Sequence, residues 1–488
     1  MHSLKYISMA WICVAAICVA PARAQQQPTD SQQGQQQEQP IPAIRSPLAS
    51  AADNGDEDEN GNPQQLQPDT RSLTGVQDLS LGTMAIEHSY WQPRLALSET
   101  VDSNPEFTTG GASWGTWTSL LGGVDIHRVS GASDLMVSYT GGGMFSSGNN
   151  DAPNGIVQEL SFKDKFSFRR STVTVFDETD YLPETPFGFA GTAGAGLPGI
   201  GTGTGIGSGF TPGQSVLTPR SQNLSNAVDV EFDTKLTSRT SLTFVGGYSL
   251  LHYFDDNLLN FGDTTFQVGY NYQATRNDTV AVSYQFAAFR YSNVDQSLNL
   301  HTVQASYARR VTGKLAFQIS AGPQFALSSF PITGSGSTTG SAATSSSQLY
   351  WTLNTALQYQ LRRAALSASY NHGVTGGSGV LAAAETDIVT GGFSDQVSRT
   401  FNAGFTAGYS RNKGFAGVAG STSQTYSYWF AGVNVTHPFG RSLDAFMNYQ
   451  LQYQDTNASG CVGSACSMDV TRHQISFGVN FHRQPIPF

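Results

Sequence analysis

The chain has 488 residues and a formal net charge of −10; only 13% of its residues are charged, while 11% are aromatic and 52 are glycine. Soluble domains carry about 25% charged residues, so this composition points away from an ordinary soluble domain and toward a β-barrel, whose strands face lipid on one side and water on the other. The acidic balance argues against nucleic acid or an anionic membrane surface as partner. Beyond the first two dozen residues no apolar run reaches the roughly 20 needed for a helical span, which excludes a helical membrane bundle.

Residues 1–24 read as a secretory signal. Lys5 supplies the positive n-region, Ile7 to Ala20 are almost all apolar, and Ala22-Arg23-Ala24 fits a small-x-small cleavage site, so the mature chain is expected to start at Gln25. Cys13 and Cys18 lie inside the leader, and neither follows the triplet that lipid attachment needs. Loss of Lys5 and Arg23 from a total of −10 leaves −12. Residues 25–85 form a Gln-, Pro- and acid-rich stretch without a hydrophobic period, expected to be a disordered tail. Asp56, Asp58, Asn60 and Gly61 match half of a calcium loop, but Gln67 stands where the closing Glu is needed and Pro63 sits inside, so a solvated acidic linker is expected.

From about Ser89 onward the pattern has period two. Phe266, Val268, Tyr270 and Tyr272 alternate with Thr265, Gln267, Gly269 and Asn271; Ile475, Phe477, Val479 and Phe481 alternate with Ser476, Gly478, Asn480 and His482. The runs have the length of tilted membrane strands, about 9–11 residues or more, where globular strands average about 5–6. Eighteen strands are predicted over 86–488. Short turns, such as those near 130–133, 237–239, 312–313 and 440–441, alternate strictly with longer Gly/Ser/Asn/Asp-rich connections. That wiring predicts an all-β fold: a transmembrane, antiparallel, up-and-down β-barrel with both chain ends on the periplasmic side. Trp91 is placed near the periplasmic ends of the strands and Trp114, Trp117, Trp351 and Trp429 near the outer ends, as aromatic girdles. Cys461 and Cys466, the pair left after cleavage, read as a disulfide in the last external loop; two ligands are too few for a structural zinc site.

The strand count and wiring resemble large porins and carbohydrate or alginate channels. The stretches LLGGVDIHRVSGASDL, YNHGVTGGSGVLAAAETD and VTRHQISFGVN resemble uncharacterised outer-membrane barrel proteins of acidobacterial type, over about 80–488. This second resemblance implies fold and outer-membrane location, but no substrate. Such barrels end on an aromatic that continues the last strand; here the series stops at Phe481, and Pro485 and Pro487 interrupt the strand before Phe488.

Function is expected in the lumen. The longest connection, about 182–221, follows the fifth strand, and its PETPFGF segment resembles the inward-folded loop of porins; it is either an inward plug or an external loop. On the sixth strand Val228, Val230 and Phe232 face one way and Asp229, Glu231 and Asp233 the other, so three carboxylates are expected on the lumen wall, biasing it toward cations. Arg290, Arg309 and Arg310 are the expected opposing charges. His372, His473 and His482 have no Ser-His-acid or His-Glu-x-x-His spacing around them, so no enzyme, cofactor or metal is expected. The reading is an outer-membrane pore for small hydrophilic solutes or ions, or an oligosaccharide or exopolysaccharide channel. The alternatives are a plugged structural or adhesive barrel and, behind it, a barrel hydrolase. Expected partners are outer-membrane lipid, the barrel assembly machinery, small hydrophilic solutes and, as an open question, further copies of the chain.

Overall fold

The computed structural model describes residues 89–107, 113–146, 154–184, 216–218, 220–292, 296–331, 343–376, 380–398, 400–415, 424–457 and 469–488. The leader, the acid-rich tail and the cysteines lie outside these residues.

Eighteen long strands follow one another: β1 (Tyr90–Asp102), β2 (Gly115–Ser130), β3 (Ser133–Ser146), β4 (Gly155–Ser167), β5 (Ser171–Leu182), β6 (Asn223–Lys235), β7 (Thr240–Tyr253), β8 (Phe261–Gln273), β9 (Asp278–Tyr291), β10 (Ser297–Arg310), β11 (Leu315–Pro331), β12 (Ala343–Gln360), β13 (Ala364–Thr375), β14 (Ala384–Ser398), β15 (Phe401–Gly414), β16 (Thr425–Pro438), β17 (Leu443–Asn457) and β18 (Val470–His482). Each pairs antiparallel with its chain neighbours, and β18 returns to β1 in a register that sets Leu95 opposite Phe481 and Thr100 opposite Ser476. The sheet is therefore closed, which removes exposed strand edges. A two-residue β19 (Ile486–Pro487) carries the same antiparallel ladder onward, pairing with Trp91 and Tyr90 after a one-residue register shift. The long strand ends at His482, before Pro485, but the chain continues alongside β1 as far as Phe488, whose N donates to Ser89 O at 3.3 Å, a step that alternation did not predict.

The connections fall into two classes by end. One end carries tight turns; at Gly131 and Gly440 the backbone takes positive φ values of 55° and 90°, where glycine has no Cβ to clash. The other end carries the long connections. The alternation sorts the side chains cleanly. On β18 Phe477 is 53% exposed and its neighbour Ser476 only 2%. Leu95, Leu120, Val230, Phe266, Val282 and Phe405 likewise stand on the outside. Apolar exterior and polar interior are the reverse of a water-soluble protein.

The wall parts between β12 and β13. β12 and β13 pair only from Gln360–Ala365 up to Leu353–His372, although β12 runs on to Ala343. Above that level the end of β13 turns inward. The side chain of Gln324 on β11 takes over as its hydrogen-bonding neighbour: Val374 N donates to Oε1 at 2.7 Å and Nε2 donates to Val374 O at 3.3 Å.

Candidate functional site: a charged inner wall beneath a clamped mouth

On β6 the register sets Asp229, Glu231 and Asp233 opposite Phe176, Thr174 and Thr172 of β5 and opposite Gly247, Val245 and Thr243 of β7. They share the inner face, while Val230 and Phe232 are exposed outside. Neighbouring strands add carboxylates that the sequence reading left out: Glu159 on β4, Glu178 and Asp180 on β5, and Asp263 on β8. Parity alone would have found the β5 pair, because positions 178 and 180 of an alternating strand share a face. Asp233 accepts from Thr243 Oγ1 at 2.5 Å, and Asp263 from Thr265 Oγ1 at 2.9 Å. Arg94 on β1 donates to Ser138 and Thr140 at 2.9 and 2.8 Å and lies 3.4 Å from Asp125. The wall from β9 to β17 differs. Among its inward-facing buried polar residues, Arg310 and Asp444 are ionisable; the others, such as Gln324, Thr352, Asn412, Gln452 and Gln454, are amides and hydroxyls. An acidic wall thus closes against an amide-lined one.

The three arginines do not stand together opposite the acids. Arg310 is buried on the inner face. Arg309, its chain neighbour, necessarily points the other way and lies 3.6 Å from Asp278 on the outside, at the turn end. Arg290 also sits outside, at the loop end, donating to Asn299 Oδ1 and to Phe289 O at 2.8 Å. Its parity was hard to read because Ala287, Ala288 and Phe289 blur the alternation just before it. Among the tryptophans, Trp91, Trp114, Trp351 and Trp429 are exposed; Trp351 stacks on His372 at 3.9 Å and Trp429 leans on Tyr409 at 4.2 Å. Trp117 departs from the girdle. It is 3% exposed and packs inside with Ala96, Leu121, Met144, Val157 and Leu182. Its parity partner is Leu121, while Leu120 faces out; nearness to a strand end was the wrong cue.

The loop end of the barrel is drawn together. After β1 the chain makes a tight turn in which Asn104 N donates to Asp102 Oδ1 at 2.9 Å and Phe107 adopts a φ of 56°. A left-handed conformation at a bulky residue costs about 1–3 kcal/mol and persists only when its surroundings enforce it. Here they do. Phe107 packs with Leu217, Tyr428, Phe430 and Val470, and the Arg472 guanidinium sits 4.4 Å above its ring. Arg472, on β18, is 1% exposed. Its Nε donates to Asp102 Oδ2 at 2.7 Å and its Nη2 to Glu184 Oε2 at 2.9 Å; Gln474 Nε2 adds a donor to Asp102 at 3.1 Å. Glu184 begins the connection between β5 and β6. Leu217, near the end of that connection, is held by a side chain acting as a strand neighbour: its N donates to Gln454 Oε1 at 2.7 Å and its O accepts from Gln454 Nε2 at 3.2 Å. Both described ends of the 182–221 connection therefore reach across to β17 and β18. Val216 packs with Leu381, Ala384 and Tyr426, which ties in the connection between β13 and β14 as well. The latter is anchored by Tyr291, whose hydroxyl donates to Gly376 O at 2.6 Å. One guanidinium serves two buried carboxylates at this clamp. Burial pushes the Glu184 carboxyl above its ordinary value, against the downward pull of Arg472.

The histidines take structural positions. His372 Nδ1 meets Asp387 at 2.8 Å on the outer side beneath Trp351, His473 meets Tyr449 at 2.9 Å, and His482 meets Asp444 at 3.3 Å. Among the described residues no three His, Cys, Asp or Glu side chains gather closely enough to hold a metal ion.

No protein-family model matches the sequence, and no curated protein matches it significantly. Among solved structures, the chain is similar to OccAB3 of Acinetobacter baumannii (10% identity, TM-score 0.39, covering 82% of this chain and 100% of that one). It is similar to OccK2 of Pseudomonas aeruginosa, solved with glucuronate (10%, 0.38, 81% and 98%), and to OpdQ of the same organism (12%, 0.40, 82% and 100%). The fold itself stands on this chain's own strand pairing, an antiparallel sheet of eighteen strands closed from β18 to β1 with one short extra strand.

Proposed function

We propose that this chain is a channel of the bacterial outer membrane that passes small hydrophilic solutes and prefers cations. The observation that carries the reading is the closed eighteen-stranded sheet with apolar side chains outside and Asp229, Glu231 and Asp233 inside. Such an exterior matches hydrocarbon, and a sheet of that size encloses more space than its wall side chains fill. Carboxylates in a lumen walled by low-dielectric protein draw cations inward. The tight-turn end and both chain ends face the periplasm in this reading, and the clamped mouth faces outward. The chain is exported by its leader, inserted by the barrel assembly machinery, and carries out no covalent chemistry. We group it with the acidobacterial-type barrel proteins that its sequence resembles.

The amide- and hydroxyl-rich wall of β9 to β17 favours a second solute class, uncharged oligosaccharides, whose hydroxyls such groups can bind. Planar-bilayer recording tests both. The expected result is a cation-preferring conductance that loses its preference when Asp229, Glu231 and Asp233 become Asn, Gln and Asn, and that weakens in high salt through screening. Deletion of most of 190–215 is expected to raise the conductance. A folded barrel that stays silent even with that deletion would replace the channel with a plugged structural barrel.

A further inference from the structure

We propose that the inner wall from β4 to β8 is a binding site for linear polyamines, engaging Glu159, Glu178, Asp180, Asp229 and Asp263. The inference rests on reading the barrel interior as a solute path and names the class of solute that this wall takes.

The five carboxylates follow one another along the inner face. Glu159 stands directly opposite Asp180 across β4 and β5. Glu178 is two residues farther along β5, opposite Ala227 of β6, and Asp229 is two residues beyond Ala227. Asp263 faces Ser249 of β7, which in turn faces Ala227. Gly247, the β7 partner of Asp229, puts no side chain between Asp229 and Asp263, and the two lie within electrostatic reach of one another. Glu159, Glu178 and Asp180 also feel one another. Neighbouring strands are about 5 Å apart, two residues along a strand span about 7 Å, and diagonal neighbours lie about 7–8 Å apart. The last step, from Asp229 to Asp263, crosses β7 and is longer than the others; negative charge is therefore strung out along the wall rather than gathered at a point.

Three of these groups are both deeply buried and incompletely bonded. Glu159, Asp229 and Asp263 are 6%, 2% and 5% exposed, and Glu159 Oε2, Asp229 Oδ2 and Asp263 Oδ1 have no hydrogen-bond partner. A buried carboxylate oxygen without a donor is costly, so these three oxygens call for cationic hydrogen-bond donors. Arg94 reaches only the Glu159 end. Lys163 shares the row of Asp229, two strands away across Phe176, and Lys165 stands one step nearer the turn end, opposite Thr174, where it bounds the acidic path. A single metal ion does not answer the need. It requires several oxygens around one centre at about 2.0–2.6 Å, and no three such side chains converge among the described residues. A flexible chain of protonated amines separated by short methylene runs does answer it. Each ammonium supplies up to three donors to one carboxylate, and the methylenes span the steps between them.

The test is titration calorimetry of the folded mature barrel in detergent with spermidine, alongside Mg²⁺ and butylamine. Saturable spermidine binding is expected, weakened about tenfold or more in the Glu159→Gln, Asp229→Asn, Asp263→Asn triple variant, with butylamine a poor competitor at equal concentration. If the triple variant does not fold, Asp229→Asn alone must still weaken binding. Absence of binding to the parent barrel overturns the proposal, as does undiminished binding in every folded variant. Full competition by butylamine or Mg²⁺ overturns it too, because single charges would then suffice. Bilayer selectivity in KCl on the same preparation separates the two readings. A cation-selective pore indifferent to spermidine refutes only the polyamine site, and a silent barrel that binds spermidine refutes only the channel.

Discussion

Replacing Arg472 by Met should release the mouth without unfolding the barrel. In the parent, the guanidinium is 1% exposed and holds Asp102 Oδ2 at 2.6 Å through Nη2 and Glu184 Oε2 at 2.9 Å. Met keeps apolar bulk beside Phe107 but leaves two buried carboxylates without their cation. Removing one partner of a buried ion pair costs about 3–5 kcal/mol, and loss of the cation over the Phe107 ring adds about 0.5–2 kcal/mol. The two carboxylates are not equally free to escape. Asp102 ends β1, whose backbone is paired on both sides. Glu184 lies beyond the end of β5 and regains water by swinging out. The penalty should therefore appear as a shift from clamped to open mouth. At 1.4 kcal/mol per factor of ten, the lost ion pair alone, about 3–5 kcal/mol, is a shift of about a hundred- to several-thousand-fold.

Single-channel recording and protease digestion of intact outer-membrane vesicles read the two sides of this shift. Arg472→Met is expected to raise the open-state conductance or its lifetime and to speed cleavage within 185–215. Combining it with Asp102→Asn and Glu184→Gln removes the stranded charges and should restore much of the parent behaviour, as neutral replacement of a whole buried ion cluster often does. A folded Arg472→Met barrel with parental conductance and parental cleavage would refute the reasoning, because the clamp would then hold nothing.

Phe477→Arg should lower folding yield far more than Ser476→Arg, since an arginine facing the bilayer midplane costs about 2–4 kcal/mol while the inner face is polar; equal yields would mean the β18 register is wrong. The Glu184 carboxyl is raised in the clamped state and ordinary in the released state, so as pH rises through that interval the clamp loses stability. Mouth opening should therefore increase with pH across it, and Glu184→Gln should flatten that dependence; an unchanged pH profile in the variant would exclude Glu184 as the titrating group. Cys461 and Cys466 are expected to form a disulfide worth about 2–3 kcal/mol at most, detectable by mass spectrometry of protein exported through the periplasm, where two free thiols would contradict it. N-terminal sequencing of the same material should begin at Gln25.

Strand existence and sidedness were legible because both follow from one local rule. A residue's face is fixed by its distance, odd or even, from any neighbour of known side. Phe477 and Ser476, or Val230 and Asp229, are assigned by counting. The rule failed where another cue displaced it. Nearness to a strand end suggests a girdle position for Trp117, yet it shares parity with Leu121, which packs inside, while Leu120 is exposed. Charge alone groups Arg309 with Arg310, although consecutive strand residues cannot share one face. The mouth was illegible for a different reason. Arg472, Asp102 and Glu184 are far apart in the chain and lie on or beyond three different strands, so no spacing joins them; only closure of β18 onto β1 brings the first two within 2.6 Å. Gln454 and Gln324 read as ordinary polar lumen residues, yet each gives a connection or a strand end the pair of hydrogen bonds that a neighbouring strand would give. Alternation fixes the side a side chain faces and says nothing of what crosses the interior to meet it. The same wall of glutamines and carboxylates can therefore line an open passage or grip a loop, and in this chain it does the second at the level of β17 and β18 and leaves unpartnered carboxylate oxygens at the level of β4 to β8.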